Sequence, residues 1–336
     1  MNEPLTRRAM LLSAGAAITT AGAISGRAPA ATGLDALKVV SFHGLSNVPI
    51  FAAQKNGLFF KYRLAVDLIY TPNSKSQREG LANGYCQIIH TAADNAVAMV
   101  ELAHVDAIIV AGGDNGFNRI FVQPDITSLS DLRGKTLVVD APSTAFALLL
   151  YNALKSAGLN KDDYKVRSIG GSPQRLKTML TDRANAAAGI LSPPLSFKAA
   201  AAGLKDMGSA NKSIGAYQSG CIVVMRSWAK ANRETLVRYL KAIVEGYRWF
   251  LDPANKEAAT ALLADRLKLS RDEAVKCYAI ATDPVDGFAR NGKFSIPGFE
   301  NVLRLRAEIE GDWGGKAPPP SKYIDLSYYD EAIKQL

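Results

Sequence analysis

From Leu37 to Ala202, short apolar runs alternate with segments of helical pattern, and Gly, Pro, Ser, Thr or Asn marks most changeovers. Leu37–Phe42, Leu64–Tyr70, Tyr85–His90 and Ala107–Ala111 read as strands. Helices are expected over Val48–Asn56, over Lys75–Ala82 and from Thr91–Asn95 onward. Ser46 and Asn47 before the first, Pro49 at its second position and Gly57 after it fit a helix start and stop. Strands joined by helices must run parallel, so this alternation predicts an α/β domain with a mostly parallel sheet.

A second unit repeats the pattern. Lys135–Asp140, Val166–Ile169 and Ala186–Leu191 read as strands. Helices are expected after Ala141-Pro142-Ser143-Thr144, Ser172-Pro173 and Ser192-Pro193-Pro194. After the β-rich run Gly220–Met225 only helical patterns follow, with Leu236, Leu240, Ile243, Val244, Tyr247 and Leu251 at helical spacing. Ser270-Arg271-Asp272-Glu273 is a capping-box sequence. This tail has no sheet of its own, so it must pack on one already formed. The length, 336 residues, suits about two domains.

Met1–Ala30 reads as a cleavable export signal, with the cut near Ala30. Thr6-Arg7-Arg8-Ala9-Met10-Leu11-Leu12 is similar to a twin-arginine signal, and the general secretory route is the second reading. The run Ala9–Gly26 is rich in Ala and Gly, which makes a poor membrane anchor. Export by this route implies a bacterial protein working in the periplasm. Three cysteines exclude a disulfide framework and allow at most one internal bridge; Cys86 and Cys221 in strand-like runs read as buried free thiols, with a bridge as the second reading. Three histidines speak against a His-rich metal centre, and nothing in the sequence calls for a cofactor. The net charge of +9 is spread along the chain, which argues for solubility and surface steering rather than a nucleic-acid partner.

Several segments in order carry a family resemblance. They are 49–59 (PIFAAQKNGLF), 77–84 (QREGLANG), 92–98 (AADNAVA), 131–136 (DLRGKT) and 139–144 (VDAPST). Behind an export signal, this series resembles the periplasmic substrate-binding proteins of ABC importers, in the group that binds sulfonates, taurine, nitrate or thiamine-pyrimidine precursors. The resemblance implies a two-lobed type II periplasmic binding protein fold. Each lobe would be a mostly parallel sheet flanked by helices, with two crossover strands near Arg119–Val122 and Tyr217–Val224. Lobe one would be 33–117 plus 222–336, with the helical C-terminal tail on it, and lobe two 118–221. The implied partners are an inner-membrane ABC permease and a small ligand: a sulfonate, an aromatic acid, an oxyanion or a pyrimidine-like molecule. The alternatives are an exported enzyme, or a sensor or receptor, on the same fold.

Ligands of open α/β sheets sit beyond the carboxyl ends of the strands. That places the site at the loops 43–47, 71–74, 91–95, 112–116, 141–144, 170–172 and 192–194. The candidate ligand contacts are His43, Leu45, Ser46, Asn47, Thr71, Asp94, Asn95, Ser143 and Thr144, with Tyr217 and Gln218 at the return crossover. Several sit at helix starts, where N–H groups favour an anion or a carbonyl-type acceptor. Ser, Thr, Asn and Asp serve equally well there as ordinary helix caps. Arg119 and Arg175 are the cations nearest these loops in sequence. Gly134-Lys135-Thr136 is similar to the end of a phosphate loop, but Leu129 stands where that loop needs Gly, and a strand follows rather than a helix. The chain has no Gly-x-Ser-x-Gly and no His-Glu-x-x-His.

Overall fold

The computed structural model describes residues 33–284 and 286–336. The expected export signal and its cut near Ala30 lie outside these residues. In chain order the first part is β1 (Asp35–Ser41), α1 (Val48–Lys55), α2 (Leu58–Lys61), β2 (Leu64–Tyr70), α3 (Ser74–Ala82), β3 (Ile88–Ala92), α4 (Ala93–Glu101) and β4 (Ala107–Gly112). The second is β5 (Arg119–Val122), β6 (Thr136–Val139), α5 (Ala145–Ser156), β7 (Lys165–Ser168), α6 (Ser172–Thr181), β8 (Ala188–Leu191), α7 (Leu195–Ala201) and β9 (Lys205–Ser209). Then come β10 (Gly220–Met225) and α8 (Arg226–Ala231), α9 (Arg233–Leu251), α10 (Lys256–Leu267), α11 (Arg271–Ala281), α12 (Ile296–Glu310) and α13 (Ser327–Lys334).

These strands form two five-stranded sheets, ordered β2-β1-β3-β10-β4 and β7-β6-β8-β5-β9. In the first, β10 runs antiparallel to both β3 and β4, while β1, β2 and β3 are mutually parallel. In the second, β5 runs antiparallel to both β8 and β9, while β6, β7 and β8 are parallel. Each sheet is therefore mixed: four strands run the same way, and one reversed strand beside an edge strand makes two of the four pairings antiparallel. The reversed strands are those the chain uses on passing from the first sheet to the second and back. The molecule is two α/β lobes, each built on one of these sheets. The strand β9 has no counterpart in the sequence reading. Its residues, Lys-Asp-Met-Gly-Ser, lie exposed or half-buried on the sheet edge, so they carry no apolar period.

The helices form where their caps and apolar faces dictate. Asn73 accepts the Ser76 N–H at 2.9 Å and starts α3. Ser270 and Glu273 close the capping box that starts α11. Along α9, Leu236, Leu240, Ile243, Val244 and Tyr247 are buried against the first lobe with Phe51 of α1. A second apolar cluster joins the lobes: Val97 of α4, Leu148 and Leu149 of α5, and Val302 and Leu305 of α12 all belong to it. The tail therefore covers the first lobe and, through α12, also packs on α5 of the second. Cys86, Cys221 and Cys277 are free and buried. Among the described residues no helix is long and apolar enough to cross a membrane.

The packing of α9 on α1 depends on one missing side chain. A Cβ added at Gly246 would lie 2.4 Å from the Pro49 carbonyl oxygen, a backbone atom that cannot swing away. Gly246→Ala is expected to destabilise the fold by about 1–3 kcal/mol, the usual cost of overpacking. Chemical denaturation checks this. An unchanged midpoint would show that α9 can ride away from α1 at no cost.

Candidate functional site

A cavity of about 770 Å³ lies between the lobes, at the carboxyl ends of the strands. Every loop expected to face a ligand contributes lining residues, from 43–46 in the first lobe to 192–194 in the second. The lobes meet around it. A Cβ on Gly171 would sit 3.3 Å from the Pro72 carbonyl oxygen of the facing lobe. Phe197 of α7 packs on the first lobe's core. Lys198 lies close enough to Glu273 of α11 to help hold its carboxyl below the usual range, although the Ser270 hydrogen bonds do most of that.

Of the expected contacts, His43, Leu45, Ser46, Thr71, Asn95 and Thr144 line this cavity. His43 stands edge-on to Tyr70 with ring centroids 5.0 Å apart, and partial burial lowers its pKa. Thr71 Oγ1 donates to the Asn73 carbonyl at 3.0 Å. Thr144 Oγ1 donates to Asp140 and to the Ala141 carbonyl. Asn95 Nδ2 donates to Thr91 Oγ1 at 2.8 Å, which turns its Oδ1 to accept from Arg78 at 3.2 Å. Ser46 bonds Asp114, whose carboxyl also takes the Gly116 N–H at 3.0 Å. Burial pushes the Asp114 pKa up, against those bonds.

The other expected contacts are held elsewhere. Asn47 is fully buried and its Nδ2 donates to the carbonyls of Phe42 and Gly44, so it shapes the 42–47 loop from inside. Gln218 donates to the Gly220 carbonyl and accepts the Ser295 N–H at 2.7 Å. Asp94, Ser143 and Tyr217 converge behind the cavity on α12. Arg306 of α12, only 1% exposed, lies 3.6 Å from Asp94 Oδ1, donates to the Ser143 carbonyl at 3.1 Å and pairs with Asp312 at 3.0 Å. Tyr217 donates its hydroxyl to Asp94 Oδ2 at 3.1 Å, and Ser143 donates its own to Glu310 at 2.7 Å. Helix-start residues can face the cleft or the lobe's back, and sequence alone does not say which.

Sequence reasoning named Arg175, which lines the cavity, but passed over Arg78. Arg78, on α3, sits one turn from Ser74 on the same helix face, and both line the cavity. Burial pulls its pKa down, and the Asp140 carboxylate opposes that. The Asp140 carboxylate also acts on Arg175. Arg175 is fully buried and donates to the Gly170 and Ile190 carbonyls and to Ser172 Oγ, so it holds the start of α6. Its guanidinium also lies 4.6 Å from the Phe146 ring centre. Arg119 pairs with Asp206 at 2.5 Å and is not a lining residue. The Arg78 signal was in the 77–84 segment, but a half-buried Arg in a polar helix looks like any surface Arg. Among the described residues no group of His, Cys, Asp or Glu could hold a metal.

Asp94 gives this site a pH signature. Burial raises its pKa to about 6, while Arg306 and Tyr217 oppose the rise. The folded chain thus holds that proton more tightly than the unfolded chain, where the value is near 3.8. Stability from this group is full below about pH 4 and is lost as pH rises through about 6, by an order of 3 kcal/mol. Asp94→Asn should remove that dependence. Its stability relative to the unmodified chain should climb between pH 4 and 7 in urea titrations, and a constant difference would contradict the account.

The model of the family described as NMT1/THI5 like matches residues 46–256. No curated protein sequence matches the chain. Among solved structures, the ligand-binding component of an ABC-type import system from Staphylococcus aureus, with zinc bound, superposes with a TM-score of 0.74 at 13% identity, over 89% of this chain and 99% of that one. The periplasmic nitrate-binding protein NrtA from Synechocystis PCC 6803 gives 0.74 at 12% identity, over 90% and 89%. The periplasmic aliphatic sulphonate binding protein SsuA from Escherichia coli gives 0.67 at 17% identity, over 88% and 99%.

Proposed function

The chain belongs to the NMT1/THI5-like family, and from that premise we propose that it is the solute-binding component of an ABC import system. It is exported to the periplasm, captures one small molecule between its lobes and delivers it to an inner-membrane permease. The observation that carries this reading is the cavity of about 770 Å³ at the strand ends, with the two lobes touching around it. A ligand contacting both lobes favours the closed form by its differential affinity, with no covalent step. The extents 33–117 with 222–336, and 118–221, are the two bodies that move.

Two groups of the cavity that chemistry could use are held out of play. Cys221 lines the cavity, but burial pushes its thiol pKa far up, so it is no ready nucleophile. His90 shares a 2.7 Å hydrogen bond with Tyr239, and burial lowers its pKa to about 3. These features support binding over turnover.

The test is a thermal-shift panel of sulfonates, aromatic acids, inorganic oxyanions and pyrimidines. A ligand at about 100 times its Kd should add about 2.7 kcal/mol, a shift of several degrees. The bound molecule should be recovered unchanged, and small-angle scattering should show contraction on binding if the free protein samples the open form. A flat panel on a cooperatively melting protein, or recovery of a converted ligand, would overturn the proposal.

A further inference from the structure

The chemistry of the cavity narrows the solute, provided that the binding-protein reading holds. We propose that the cleft takes an aromatic acid, with its ring between apolar walls and its single acidic group on the Arg78 guanidinium. Size comes first. An inorganic oxyanion has four or five atoms, whereas closed pockets of roughly 300–1,000 Å³ suit organic ligands of drug size. At about 770 Å³, this cavity would leave a lone oxyanion surrounded mostly by empty space.

The walls come second. Phe42, Leu45, Phe117, Phe146, Leu195 and Leu267 all line the cavity. Two of the rings are fixed from behind. Phe117 stands edge-on to Phe288 with centroids 5.2 Å apart, and Phe146 lies against Arg175. Rings held this way lose little further side-chain freedom on binding, and apolar walls rich in aromatic carbon favour a planar aromatic body.

Charge comes third. Arg175 is committed to the Gly170 and Ile190 carbonyls and to Ser172. Lys75 pairs with Glu79 at 2.9 Å in the open, and Lys198 is exposed. Arg78 makes one hydrogen bond, from Nη1 to Asn95, and no ion pair within 4.0 Å among the described residues. The rest of its fork is available to a planar acid group, which it can grip through two parallel hydrogen bonds. Asp140 acts on both Arg78 and Arg175, so the three leave one net positive charge at this end. A monoanion neutralises that charge. A second acid group on the ligand would meet the Asp140 carboxylate.

Titration calorimetry on the whole protein tests this with 2-naphthoate, 2-naphthalenesulfonate, neutral 2-naphthamide, acetate, nitrate, sulfate and cytosine as probes. An aromatic acid is expected to bind at least about 10-fold more tightly than the matched amide and than acetate. Comparing the carboxylate with the sulfonate shows which acid the fork prefers. Arg78→Gln should weaken the aromatic acid about 10- to 100-fold and leave the amide within about threefold. Arg78→Lys, which keeps the charge but loses the fork, should recover part of the loss and serves if the Gln variant does not fold. Tightest binding of nitrate, sulfate or cytosine, or equal binding of acid and amide, overturns the ligand class and leaves the binding-protein reading standing. Heat from no probe here, together with a flat thermal panel, overturns both.

Discussion

A guanidinium sealed from water organises the back of this molecule. Arg306 sits on a helix of the C-terminal tail and reaches Asp94 in the first lobe, the Ser143 carbonyl in the second and Asp312 beyond the helix end. A buried charge is costly unless paired and hydrogen-bonded, and a buried pair adds little stability over a well-packed apolar substitute. What such an arrangement imposes is geometry, because removing any one partner strands the others. Here the geometry is the relation of Asp94, at the start of α4, to the loop that carries Asp140 and Thr144 into the cavity. The apolar cluster shared by α4, α5 and α12 lies alongside Arg306 and Asp94, whose side chains are both buried.

The same loops serve two masters because of how α/β lobes are built. Each strand ends in a turn that starts a helix, and the turn must satisfy free N–H groups. Asn73 does this with its side chain. Asn95 sits one turn into α4 and instead orients Arg78, while Thr144, at the start of α5, is tied to Asp140. A cavity assembled from such positions inherits polar groups whose directions are already fixed by the fold. That preorganisation removes part of the ordering cost of binding.

The strand–helix alternation was legible because apolar periodicity and Gly, Pro and Asn punctuation are local. The strand Leu64–Tyr70 and the return strand Gly220–Met225 have the bounds their residues announce. The edge strand β9 was not legible, since a polar edge strand is specified by its neighbour β5 rather than by its own residues. The loops of the cavity were legible as loops. Their residues were not, because Asp94, Ser143 and Tyr217 differ from Asn95 and Thr144 only in which side of a turn they face. That choice is set by Arg306, some 160 to 210 positions away in sequence from Ser143 and Asp94, and no local pattern carries it.

On the proposed reading, this division of the molecule has a mechanical consequence. The back is held by buried charge and by apolar packing that would cost several kcal/mol to break. The lips are held by fewer contacts: the approach of Pro72 to Gly171, Phe197 of α7 on the first lobe's core and the exposed Lys198 beside Glu273. Exposed charges in such positions contribute about 0–1 kcal/mol. On that reading opening takes place at the lips while the back acts as the pivot. Such a two-state element is shifted by a molecule that touches both lobes, in proportion to the difference in its affinity for the two forms. The acid group held by Arg78 in the first lobe and the ring against Phe146 in the second would supply that difference from opposite sides of the cleft.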